Sequence, residues 1–246
     1  MRIVASALVA FTSLAAATAA QAQNADDGGF YVAARVGSAT LSDPVVTYYD
    51  AGGTFGGTGT RDTATASIDA KSAVTFGGTI GYDFGMVRAD VEVDYARHKI
   101  QSLTFNQLNG TNVTLTAADR VDVCDYLEAD TCGGSGNTFI FDGSRIRQLS
   151  AMGNLWLDLP IGDTIVPYAG GGVGIAGFEV DGEGKGKFAW QLGAGVALNV
   201  SDAVAVTVDY RHRQIGRTVV EYDAASGFEI DKLKTDAITA GLRFTF

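Results

Sequence analysis

Long apolar runs are missing from this chain. Beyond residue 22 no stretch approaches 18 consecutive apolar residues, which excludes a transmembrane helix there. Cysteine is scarce, with Cys124 and Cys132 the sole pair, and so is histidine, with His98 and His212. A metal site at the cysteines would need His or further Cys close by, and the sequence has none there. Basic residues are too few to balance the acids: 18 Lys and Arg face 28 Asp and Glu, a net charge of −10. That deficit argues against nucleic acid as a partner, because phosphates need Lys and Arg. It also disfavours a simple anion pore. Proline is rare, at 3 residues, while glycine is abundant, at 32.

What is present begins with an export leader. Met1-Arg-Ile-Val opens on a basic residue, a short Ala-rich apolar core follows, and Ala20-Gln-Ala22 ends it, the pattern of a secretory signal peptide. Cleavage is expected after Ala22. The competing reading, an uncleaved anchor helix, asks too much of so short a core. Without this segment, whose one charge is Arg2, 17 basic and 28 acidic residues remain, a net charge of −11. An exported chain meets an oxidising compartment, so Cys124 and Cys132, in a polar Gly-rich segment, are expected to form a disulfide. The chain-entropy model gives so short a loop about 2–3 kcal/mol.

The remainder alternates. In the last stretch Phe246, Phe244, Leu242, Ala240 and Ile238 share one face, and Thr245, Arg243, Gly241, Thr239 and Ala237 the other. A period of two is a strand. The same alternation predicts strands over 30–37, 72–82, 87–98, 145–157, 165–178, 188–198 and 204–213. On the third, Val87, Ala89, Val91, Val93 and Tyr95 oppose Arg88, Asp90, Glu92 and Asp94. Four successive charges on one face do not fit a dry sandwich core unless each is paired. A barrel in lipid turns its apolar face outward and keeps its polar face in the lumen.

Eight strands is an even number. Long polar segments over 38–71, 99–142 and 214–233 are expected as loops, with a hairpin at Asn109-Gly110. Short turns follow the second, fourth and sixth strands, and long connections the first, third, fifth and seventh. The predicted fold is all-β: an eight-stranded antiparallel up-and-down transmembrane barrel over 23–246, with long extracellular loops and short periplasmic turns.

With Gly29-Phe-Tyr-Val32, Pro167-Tyr-Ala-Gly-Gly-Gly-Val-Gly174, Phe188-Ala-Trp-Gln191 and Gly241-Leu-Arg-Phe-Thr-Phe246, the chain resembles the small outer-membrane barrels of the OmpA-like and opacity-protein type. The resemblance covers essentially all of 23–246. It implies the outer membrane as location, outer-membrane lipid and lipopolysaccharide as surroundings, and delivery by the barrel-assembly machinery. Phe244 and Phe246 resemble the terminal assembly signal of such barrels. Members serve as structural proteins, surface antigens and adhesins. No peptidoglycan-binding domain follows Phe246, so a wall tether is not implied.

Gly172-Val-Gly-Ile-Ala-Gly177 matches G-x-G-x-x-G, but turn-rich residues follow where a dinucleotide site needs a helix. The better reading is lumen glycines that leave room for large side chains. Inward positions gather Arg35, Arg88, Asp90, Glu92, Asp94, Asp209, Arg211, Arg213 and Arg243. An eight-stranded lumen is just filled by side chains, so an internal network is expected, with Asp90, Glu92 and Asp94 bound chiefly by Arg35, Arg211 and Arg213. The competing reading is a narrow polar pore. His98 points in and His212 out, both expected as solvated rim residues, which leaves a rim hydrolase remote. Outward aromatics (Phe30, Tyr82, Tyr95, Trp190 and Tyr210 among them) suit interfacial girdles. No cofactor, metal or catalysis is expected. A structural or surface-interaction role is preferred over a narrow porin, with the loops' extracellular ligand unidentified.

Overall fold

Strand propensity, alternation and turn residues agree along most of the chain, and the sheet follows from them. A computed structural model describes residues 28–42, 44–127, 132–140, 145–162, 164–180 and 183–246. The expected leader over residues 1–22 lies outside them. The strands are β1 (Gly29–Ser42), β2 (Val45–Ala51), β3 (Arg61–Ala70), β4 (Ala73–Asp83), β5 (Val87–Leu108), β6 (Thr111–Asn112), β7 (Thr138–Phe139), β8 (Arg145–Asp158), β9 (Ile165–Val180), β10 (Glu183–Ser201), β11 (Val204–Ile215), β12 (Thr218–Glu221), β13 (Gly227–Ile230) and β14 (Leu233–Thr245), with one helix, α1 (Ala117–Tyr126).

Eight of these strands close an antiparallel ring in the order β1, β4, β5, β8, β9, β10, β11, β14. β14 returns to β1 through a continuous register from Tyr31↔Thr245 to Ser42↔Lys234. The expected faces are the observed ones. Phe30, Val32 and Val36 are exposed on β1 while Tyr31, Arg35 and Ala39 are buried. Because the side-chain period is two, a slip of one residue would turn every arginine of the lumen toward lipid. At one end the turns are tight. Gly85 at φ 94 closes the β4–β5 turn, where the Phe84 N–H donates to the Val87 carbonyl at 2.8 Å. A residue with a side chain would be strained there.

At the other end the expected loops need correction. Residues 38–71, 99–142 and 214–233 are not plain loops: they contain β2, β3, the outer part of β5, β6, α1, β7, β12 and β13. β12, β13, β2 and β3 form a sheet that joins the ring along the outer half of β5. β3 was hard to read because three of the residues on its buried face are Asp62, Ala64 and Ala66, too small or too polar for an apolar signal. Nor is the connection after the fifth ring strand long, since β9 reaches Val180 and β10 begins at Glu183. Asn109 and Gly110 do make the expected turn, with φ of 48 and 76.

Inside the ring, chemistry changes with height. The inward residues of the lower half are largely charged or polar, with a small apolar cluster of Trp156, Val166, Tyr168, Ala197 and Ala205 beside the tight turns. Those of the outer half are mainly apolar: Leu41, Ile100, Ile146, Phe178, Ile215 and Leu233 belong to one buried cluster with Val46, Ala64, Ala66, Phe105 and Phe139 of the outer sheet.

Candidate functional site

The lumen gathers most of the chain's buried charge. Glu92 lies at its centre with a fully buried side chain. Arg211 Nη1 donates to its Oε2, Arg35 and Arg213 each stand at 3.2 Å, and Gln191 Nε2 donates to Oε1 at 2.5 Å. Asp94 binds Arg35 at 2.6 Å and Arg213 at 2.7 Å. Asp209 accepts from Arg211 Nε at 2.6 Å. The contacts of Glu92 and Asp94 reach from β5 to β1, β10 and β11, while Asp209 and Arg211 are neighbours on β11. Burial of so many ions is tolerable because each finds opposite charge and further donors.

Below this layer the partners differ from the expected ones. Asp90 meets no arginine: it accepts from Tyr31 Oη at 2.6 Å, Asn154 Nδ2 at 2.7 Å and Trp156 Nε1 at 2.9 Å. Three neutral donors fill its lone pairs, and the expected guanidinium is not needed. Arg88 forms two bonds to Asp158, at 2.6 and 2.8 Å. Arg243 approaches Asp158 only at 3.9 Å, and its Nε and Nη1 have no hydrogen-bond partner.

Asp158 lies one residue beyond the predicted strand over 145–157 and inside β8, and Tyr31, Asn154, Trp156, Tyr168 and Gln191 join the network without a charge to mark them. Parity held the signal for Asp158, because it shares a face with Gln148, Asn154 and Trp156. Glycine makes room for the large rings. A Cβ on Gly81 would stand 2.6 Å from Tyr31 Cζ, and one on Gly193 would stand 2.9 Å from Trp156. The G-x-G-x-x-G match lies within β9, where no helix N-terminus is present to hold a phosphate.

Among the described residues, two small cavities lie in the lumen. One, about 20 Å³, is lined by Arg35, Asp94 and Arg213 among others. The other, about 30 Å³, lies beside Arg88, Asp90, Trp156 and Arg243. Each has room for a water or two.

The histidines stand apart. His98 is fully buried rather than solvated, with Nδ1 3.1 Å from the Lys71 carbonyl. It lies under the apolar layer, whose outer sheet excludes solvent from that end. His212 points out, and its Nδ1 is 2.8 Å from Asp236. Among the described residues no cluster of three or more His, Cys, Asp or Glu is placed to hold a metal.

Outside the ring, Cys124 at the end of α1 is bonded to Cys132. Asp62 holds the tip of the β2–β3 hairpin by accepting from the amides of Gly53, Phe55 and Gly57 at 3.0, 2.8 and 2.9 Å. The Gly57 amide foremost, then those of Phe55 and Gly53, keeps its carboxyl below the usual carboxylate range, against the opposing effect of burial. At the other end the Phe246 N–H donates to the Phe30 carbonyl at 2.8 Å, and Phe244 points outward.

A closed antiparallel ring with an apolar exterior and a polar, filled interior defines a transmembrane β-barrel of the outer-membrane class. The chain belongs to the outer membrane protein beta-barrel domain family, whose model matches residues 7–246. A protein of Brucella abortus (strain 2308), of uncharacterized function, is 24% identical over 217 residues, covering 72% of this chain and 69% of the relative. The fold is similar to that of Neisserial surface protein A, with a TM-score of 0.50, 16% identity and coverage of 89% of this chain and 99% of that one. It is also similar to outer membrane protein OprG of Pseudomonas aeruginosa, with a TM-score of 0.51, 14% identity and coverage of 90% and 99%.

Proposed function

We propose that the chain is a closed outer-membrane barrel with a structural or surface-interaction role, presenting its outer sheet and α1 to the cell exterior. The supporting observation is a lumen filled at two levels, by ion pairs around Glu92 below and by apolar side chains around Phe178 and Ile146 above. Two cavities of about 20 and 30 Å³ are far from a continuous water path. A hydrated solute would have to break the ion pairs and wet the apolar layer. The leader, the terminal Phe246 and assembly by the barrel-insertion machinery belong to the same reading.

The test is planar-bilayer conductance of the purified, folded protein. Current at the background of protein-free membranes is expected. Stable ohmic steps from the parent chain would favour the narrow-pore alternative and sink this one.

A further inference from the structure

The exterior carries a feature that the lumen does not explain. On the outward face of β5, Val87, Ala89, Val91, Val93 and Tyr95 give way to Arg97 and Lys99. On β8, Leu157, Leu155, Ala151 and Leu149 give way to Arg147 and Arg145. The register sets Arg97 opposite Arg147 and Lys99 opposite Arg145, immediately beyond the Tyr95↔Leu149 pair. All four basic side chains are exposed. Lys71, also exposed, joins them from the side, its N–H donating to the Lys99 carbonyl at 2.9 Å.

Like charges directly opposite in an antiparallel pair destabilise it, yet here two such pairs are stacked. Compensation inside the molecule is slight. Arg147 binds Glu179 at 2.7 Å, and among the described residues no carboxylate forms an ion pair with Arg97, Lys99 or Arg145. The chain as a whole has a net charge of −10, so a cationic cluster goes against its general composition.

Depth identifies the counter-charge. Ten residues separate Val87 from Arg97, and at about 3.4 Å per residue with a tilt of 35–45° they rise about 25 Å, the height of the apolar band of such barrels. The cations therefore begin where lipid tails end on the outer side. We infer that Arg97, Lys99 and Arg145, with Arg147 and Lys71 at their flanks, form a docking site for the phosphate groups of the outer leaflet's anionic glycolipid, lipopolysaccharide, through its lipid A part. Arginine matches phosphate oxygens with paired N–H donors, and lysine adds a point charge. The acyl chains would lie on Tyr95, Val93 and Leu149 below. The site is on the barrel's outside and does not depend on whether the lumen conducts.

The experiment measures retention of labelled lipid A by the folded protein in zwitterionic detergent micelles. The parent should hold bisphosphorylated lipid A about tenfold or more tighter than the dephosphorylated form. The triple variant Arg97→Gln, Lys99→Gln, Arg145→Gln should lose that preference, while Lys234→Gln on β14 keeps it. Equal retention of both lipids by the parent overturns the inference and needs no variant to fold. A folded triple variant that binds like the parent overturns it too. Full displacement of lipid A by inorganic phosphate would show a free-anion site, and the lipid assignment would fall.

Discussion

Glu92 and Arg243 show how differently two buried charges can be held. Three guanidiniums converge on Glu92, whereas two nitrogens of Arg243 have no hydrogen-bond partner. Removing one member of a buried ionic cluster leaves the others uncompensated. Glu92→Ala should therefore cost about 3–5 kcal/mol, measured by unfolding in detergent micelles. Arg243→Met should change stability by less than about 1 kcal/mol in either direction, since Asp158 keeps both bonds from Arg88 and an imperfectly paired ion is removed. Equal losses from the two variants would refute this reading of the network. Alternation alone placed all nine candidate charges on the inward face. It could not say that Asp90 would be satisfied by Tyr31, Asn154 and Trp156, because parity gives a face and not a neighbour across the lumen.

The β2–β3 hairpin is an element whose order depends on one carboxylate. Asp62 accepts three amides of its tip, and its folded value lies below its unfolded one of about 3.9. Its contribution is thus present above about pH 4 and is lost as pH falls through the lower folded value. The amide resonances of Gly53, Phe55 and Gly57 should hold steady from neutral pH to about pH 4 and then move, while those of the ring strands do not. Resonances that ignore acid would count against the role given to Asp62. The hairpin's second strand, β3, was illegible in sequence for a physical reason: its Thr, Ala and Ser alternate without enough apolar contrast to mark a buried face. Helix α1 was missed similarly. Its capping box is present, with the Thr116 N–H donating to Asp119 at 2.7 Å, but none of its residues is buried, so no apolar stripe announces it. The Asn109-Gly110 turn was legible because left-handed backbone conformation singles out those residue types.

For the whole molecule, closure is the decisive event. β14 pairs with β1 and β11, and Phe246 adds one more bond to Phe30. Removing Phe246 takes little from the finished ring, so its deletion should lower the amount of barrel reaching the outer membrane while leaving the melting of what assembles nearly unchanged. Parent-like membrane levels would argue against an assembly role. The sequence by itself determined the class of fold, the eight ring strands, which face of each meets lipid, and nine of the charges that enter the lumen. These follow from a period of two and from the intolerance of hydrocarbon for polar groups, which any window of ten residues displays. Tertiary structure alone decided that Arg211 meets Glu92, that the outer half of the lumen is apolar, and that four cations on β5 and β8 face one another. Those facts depend on register and on ring closure between strands far apart in the chain, which no local pattern encodes.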